Sequence, residues 1–127
     1  MKTKTISLRS AARLLPPTDT VTVGPRFDVA CAKAFTRDIG RIVARREPTV
    51  IIDMSKTKAV SSSGFGSLIS ALRKLADVGS AVVVVSASIS IRRLFDFAGI
   101  ARMVTVVDSL SAARSVAQAA QPGSLAS

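Results

Sequence analysis

The stretch "AVSSSGFGSL", residues 59–68, sets three serines against two glycines just downstream of an apolar run. A serine hydroxyl can attack as a nucleophile, take part in phosphate chemistry, or cap a helix. Nucleophilic attack needs a base near neutral pH, and the chain contains no histidine, which excludes a Ser-His-Asp relay. The glycines follow the serines instead of flanking one of them, so there is no G-x-S-x-G elbow. "GFGSL" also lacks the lysine that reaches the terminal phosphates in a phosphate loop. A Ser-Lys pair through Lys56 or Lys58 would need a buried lysine, which nothing in the sequence marks. Cys31 is the single cysteine, and no cluster of cysteine, histidine and acid has metal-ligand spacing. The expectation is a non-enzyme with no catalytic residue, no metal and no cofactor.

A serine that is acted upon remains open. A hydroxyl at a helix start is a favourable place for a phosphate, because free N–H groups and the positive helix end stabilise added charge. Such a modification brings ~1.5 to 2 negative charges, enough to change recognition by a partner. Ser61 to Ser63 can equally serve as caps of a helix beginning near Gly64. The two roles are compatible.

The elements around the cluster alternate between strand and helix. Lys4 to Leu8 reads as a short first strand, and Pro16 to Asp19 as a turn. Thr20 to Val23 is β-branched throughout, a strand ended by Gly24 and Pro25. Asp28 suits an N-cap, followed by a helix with Phe35, Ile39, Ile42 and Val43 on one face and stopped at Pro48. Thr49 to Ser55 is apolar at consecutive positions, as a strand covered on both faces must be, and it contains Asp53. After the polar "KTKA" and the serines, a helix from about Gly64 to Asp77 buries Leu68, Ala71, Leu72 and Leu75, with Gly79 at its C-terminus. Ala81 to Ala87 is another buried strand. A helix with Ile91, Leu94, Phe95 and Ala98 inward ends at Gly99. Met103 to Val107 is a last strand, and residues 108–120 form a capped terminal helix.

This alternation implies an α/β fold with a largely parallel or mixed sheet of about four or five strands and three or four helices. The length, 127 residues, suits one domain, expected over 1–120 with a loose tail at 121–127. In open sheets of this kind function gathers past the carboxyl ends of the strands, which is where the serine cluster falls.

Charge is the unusual feature. Eighteen Lys and Arg against eight acids give +10, and Glu47 is the only glutamate. Lys33, Arg37, Arg41 and Arg45 recur every four residues, a basic stripe on a helix, and Arg92 and Arg93 form a second small cluster. The balance favours acidic partners, nucleic acid or anionic membrane surfaces. With no Trp or Tyr there are few stacking platforms for single strands, and a solvated helix face explains the stripe equally well. No specific nucleic-acid binding is expected. The longest strongly apolar run is Ala81 to Val85, far short of the ~18 to 20 residues of a membrane span. The N-terminus lacks a continuous apolar leader, and the absence of cysteine pairs fits a reducing compartment. A soluble cytoplasmic protein is expected.

The run "VIIDMSKTKAVSSSGFGSLISALRKL" (50–75) resembles the signature of the STAS domain of bacterial anti-sigma-factor antagonists, in which a strand ending D-[LM]-S precedes D-S-[ST]-G-[LF]-G at a helix. "VVVVSASISIRRLFDFAGIARMVTVVDSLSAA" (82–113) resembles the family's late strand, its R-x-L-[FL]-x-x-[TA]-G-[LI] helix, and its last strand and helix. "VTVGPRFDVACAKAF" (21–35) resembles its V-x-G-x-[LF]-D-x-x-x-A element, with one extra residue between glycine and aspartate. The resemblance covers roughly residues 18 to 118. It implies a phosphoacceptor at Ser62 and a partner-binding surface that includes Asp28, Asp53, Ser61, Ser63, Gly64, Phe65 and Gly66. Ser61 stands where the family has an aspartate that helps to position the acceptor. The implied mechanism is partner switching: the unphosphorylated protein binds an anti-sigma factor that is also a serine kinase, phosphorylation separates them, and a phosphatase resets the system. The resemblance also leaves open a STAS subunit of a lipid-transporting ABC system, and the charge leaves open a basic nucleic-acid-binding module.

Overall fold

The computed structural model describes residues 18–86 and 88–119. The element order is β1 (Thr18–Thr22), β2 (Arg26–Phe27), α1 (Val29–Arg45), β3 (Thr49–Asp53), β4 (Ala59–Val60), α2 (Ser62–Asp77), β5 (Ala81–Val85), α3 (Ile89–Ala98), a 3-10 turn (Ile100–Arg102), β6 (Thr105–Val107) and α4 (Leu110–Ala119). The expected first strand at Lys4 to Leu8 and the tail at 121–127 lie outside the described residues.

Four strands form the main sheet in the order β1-β3-β5-β6, and β2 and β4 form a separate two-stranded sheet. The fold class is the expected α/β arrangement. Every pairing among the described residues is parallel. The reason is the connections, since a helix intervenes between successive strands of the main sheet and returns the chain to the same edge.

Val50, Ile51 and Ile52 are all at most 1% exposed, because each face of the sheet is covered. Val50, Ile52, Val82 and Val84 join one core with Phe35, Ile39 and Ile42 of α1, Leu68, Leu72 and Leu75 of α2, and Ile91 and Phe95 of α3. Ile51, Val83 and Val85 face the other way, onto Ala113 and Ala117 of α4. The period-2 alternation of a strand thus separates two cores. Two details depart from the sequence reading. β1 begins at Thr18, inside the expected turn, and Leu94, expected inward, is half-buried outside the core, whereas Ala98 packs against it as expected.

Because the strands run parallel, the helices among the described residues start toward the carboxyl end of the sheet. That end carries Asp28, Asp53 and the serine cluster.

Candidate functional site

The serine loop is held by β2 and β4, whose two-residue length escapes any periodicity reading. Phe27 pairs in register with Val60, so Asp28 and Ser61 leave adjacent strands side by side. They border one shallow depression together with Arg26, Phe27, Ala59 and Val60.

Helix α2 starts two residues earlier than Gly64. Ser61 is its N-cap in extended conformation, and its Oγ accepts the Gly64 N–H at 3.0 Å. The same hydroxyl donates to the Phe27 carbonyl at 3.3 Å, and the Ser61 N–H donates to that carbonyl at 3.0 Å. A hydroxyl can accept and donate at once, whereas a carboxylate here could cap the helix but would face the Phe27 carbonyl as a second acceptor. The replacement of the family's aspartate by Ser61 therefore produces a tethered cap.

Ser62 and Ser63 are the first two helical residues, and both are exposed. Ser61 engages the Gly64 N–H through its side chain and the Phe65 N–H through its carbonyl, which leaves the Ser62 and Ser63 amides without an intrahelical acceptor. The first turn of α2 contains no acid. A negative group added there would meet unpaired N–H groups and no competing carboxylate in its own turn.

The two family-motif glycines differ. A Cβ on Gly64 would lie 2.1 Å from the Phe27 carbonyl oxygen and 3.0 Å from its carbon, so only glycine lets the helix start close against β2. At Gly66 a Cβ would meet nothing within 4 Å, and the residue is exposed. Phe65 is half-buried against the core.

Asp28 caps α1, accepting the Cys31 N–H at 3.1 Å, and is otherwise exposed. Asp53 is not among the residues bordering the Asp28–Ser61 depression. It closes β3, half-buried, and its carboxylate accepts the Ser55 N–H at 3.0 Å. That is a local turn bond. Thr57, which no sequence pattern singles out of its polar loop, is only 2% exposed and donates to the Gly24 carbonyl at 2.8 Å. It fastens the approach to β4 onto the approach to β2.

The basic stripe is exposed along its length. Arg41 pairs with Asp38 at 3.6 Å, and Arg45 with Asp19. Arg92 binds Asp108 at 3.1 Å and donates to the Val106 carbonyl. No group of His, Cys, Asp and Glu among the described residues could hold a metal ion, and no helix there is long and apolar enough to cross a membrane.

With this geometry in hand the comparisons agree on the class. The STAS domain family model matches residues 16–113, and the chain belongs to that family. Among solved structures it is similar to an anti-sigma factor antagonist from Mycobacterium paratuberculosis, with 26% identity, TM-score 0.65, and coverage of 77% of this chain and 83% of that one. It also shares its fold with SpoIIAA in the unphosphorylated form, with 16% identity, TM-score 0.61, and coverage of 76% and 84%. The phosphorylated form of the Bacillus cell fate determinant SpoIIAA gives 18% identity, TM-score 0.62, and coverage of 76% and 88%. No curated protein sequence matches the chain.

Proposed function

We propose that this protein is a cytoplasmic anti-sigma-factor antagonist that works by partner switching, with Ser62 as its phosphoacceptor. The observation that carries the reading is Gly66. An exposed glycine inside a helix costs about 1 kcal/mol relative to alanine, and no contact within the fold asks for it. A partner lying close against the first turns of α2 gives it a reason. Ser62 and Ser63 are accessible on that same stretch, so a phosphate there would enter the contact.

In this mechanism the chain supplies a shaped, switchable surface. The partner kinase supplies ATP: its γ-phosphoryl group moves to Ser62 Oγ, the hydroxyl proton leaves, and ADP departs. The unpaired N–H groups at the start of α2 receive part of the new charge. The partner, fitted to the neutral hydroxyl, is left with a buried charge that commonly costs ~3 to 5 kcal/mol when unpaired. The complex separates, and a cognate phosphatase restores the hydroxyl.

The test is binding to anti-sigma kinases of the same genome. Ser62→Ala should bind as the native protein does, and Ser62→Asp at least ~100-fold more weakly. Kinase and ATP should add one phosphate, located at Ser62 by mass spectrometry, and Ser61→Asp should accelerate the transfer. Equal binding by Ser62→Asp, with no phosphate ever transferred, would leave a constitutive binding module as the better account.

A further inference from the structure

Away from the serine loop, helices α1 and α2 flank a cleft of about 50 Å³ lined by Thr36, Ile39, Ser67, Ser70, Ala71 and Lys74. Its floor is apolar, with Ile39 and Ala71 at 1% and 4% exposure. Its walls are hydroxyls and one ammonium, with no carboxylate. Among the described residues the Thr36, Ser67 and Ser70 hydroxyls and the Lys74 ammonium engage no other group. By contrast, Ser115 on α4 donates back to the Ser111 carbonyl of its own helix.

The spacing extends this wall toward the helix start. Ser63, Ser67, Ser70 and Lys74 fall at i, i+4, i+7 and i+11, one face of α2. On α1 the positive charge is uneven. Arg41 and Arg45, in the C-terminal half, are paired with acids, while Lys33 and Arg37, on either side of Thr36 in sequence, have no acidic partner among the described residues.

We propose that the α1–α2 cleft binds a tetrahedral oxyanion, a phosphate group, with Lys74 supplying the charge and Thr36, Ser67 and Ser70 supplying hydroxyl donors. Three hydroxyls and an ammonium match the several acceptor oxygens of a phosphate better than the planar pair of a carboxylate. The size fits a single small group: at about 50 Å³ the cleft has room for a few heavy atoms, where one water already needs ~10 to 15 Å³. Lys33 and Arg37 raise the local anion concentration without needing to touch the ligand. The group can arrive as free phosphate or as the headgroup of a phosphatidic lipid, since the recognised chemistry is the same.

The experiment is a titration of the full-length ¹⁵N-labelled protein with inorganic phosphate, followed by amide shifts at constant ionic strength. Saturable shifts confined to residues around Thr36, Ser67, Ser70 and Lys74 are expected. Lys74→Gln should weaken the fitted affinity about tenfold, as loss of one charge-assisted contact does, and Ser70→Ala should weaken it less. Both positions are exposed, so neither change should unfold the chain. Lys56→Gln, in the loop after β3, should titrate as the native protein does. Co-sedimentation with phosphatidic acid vesicles identifies the source. Retention that is lost in Lys74→Gln assigns the lipid headgroup, and cleft binding of phosphate without retention assigns the free ion. Shifts scattered over every basic residue, or an unchanged affinity in Lys74→Gln, would overturn the proposal.

Discussion

Helices α1 and α2 begin alike and are held differently. Each has a polar N-cap whose side chain accepts the N–H three residues on: Asp28 that of Cys31, and Ser61 that of Gly64. Asp28 is exposed, and its side chain makes only this local bond. Ser61 is half-buried and reaches the Phe27 carbonyl with both its N–H and its hydroxyl, while Gly64 packs against the same carbonyl. The start of α1 is thus secured by its own sequence, and the start of α2 by a neighbouring strand. A surface that must present Ser62 in a fixed place is better served by the second arrangement, because the loop cannot shift without giving up tertiary bonds.

The comparison breaks most visibly at the glycines. Gly64→Ala forces a Cβ to within 2.1 Å of backbone, which no rotamer change relieves. The expected loss is about 3 kcal/mol, the upper part of the overpacking range, read from urea unfolding. If Gly64→Ala is neutral, the close approach of α2 to β2 is wrong.

Next come the caps. Ser61→Ala removes the bond to Gly64 and the hydroxyl tether to Phe27, and should cost about 2 kcal/mol. Asp28→Ala removes one exposed cap and should cost about 1 kcal/mol or less. Amide exchange sharpens the contrast: Ser61→Ala should speed exchange across the first turn of α2 and in β2, whereas Asp28→Ala should affect only the first turn of α1. Equal costs confined to each helix would remove the distinction.

Gly66→Ala has the opposite sign. With open space at the Cβ position, alanine should stabilise the chain by about 0.5 to 1 kcal/mol. Under the proposed function it should also weaken partner binding. A more stable protein that binds as well as the native one would remove the reason given for an exposed helical glycine.

How far the sequence carried this picture depends on range. Val50 to Ile52 and Val82 to Val85 announced their two-sided burial, because consecutive apolar residues have no other use in a strand. Asp28 and Gly79 were legible as local helix signals, and Gly79 indeed adopts a positive φ of 82°. The family motif marked the serine loop, and no local pattern could say why Gly64 is glycine, since the reason is the carbonyl of a residue 37 positions earlier. Thr57 was hidden for the same cause: its hydroxyl bonds are to Val23 and Gly24, across a gap of more than 30 residues. Phe97, at 92% exposure on α3, falls outside the inward positions that the helical period assigned to Ile91, Leu94, Phe95 and Ala98.

The smallest effect is the most diagnostic. Ser62 is the first residue of α2, exposed, in a turn without an acid. A carboxylate there should interact favourably with the helix start, so Ser62→Asp should stabilise the free protein by about 0.5 kcal/mol at low ionic strength. Most of that gain should vanish near 1 M salt, where exposed charges are screened within ~3 Å. The matched change on α1, Val29→Asp, should gain less, because Asp28 already places a charge at that helix start and the two would repel. These stability changes are a control on the switch as well as a measure of the helix ends. A variant that is more stable than the native protein yet fails to bind an anti-sigma kinase has lost an interface and kept its fold. If Ser62→Asp destabilises the chain instead, Ser62 is engaged in structure, and weak binding by that variant would say nothing about a switch.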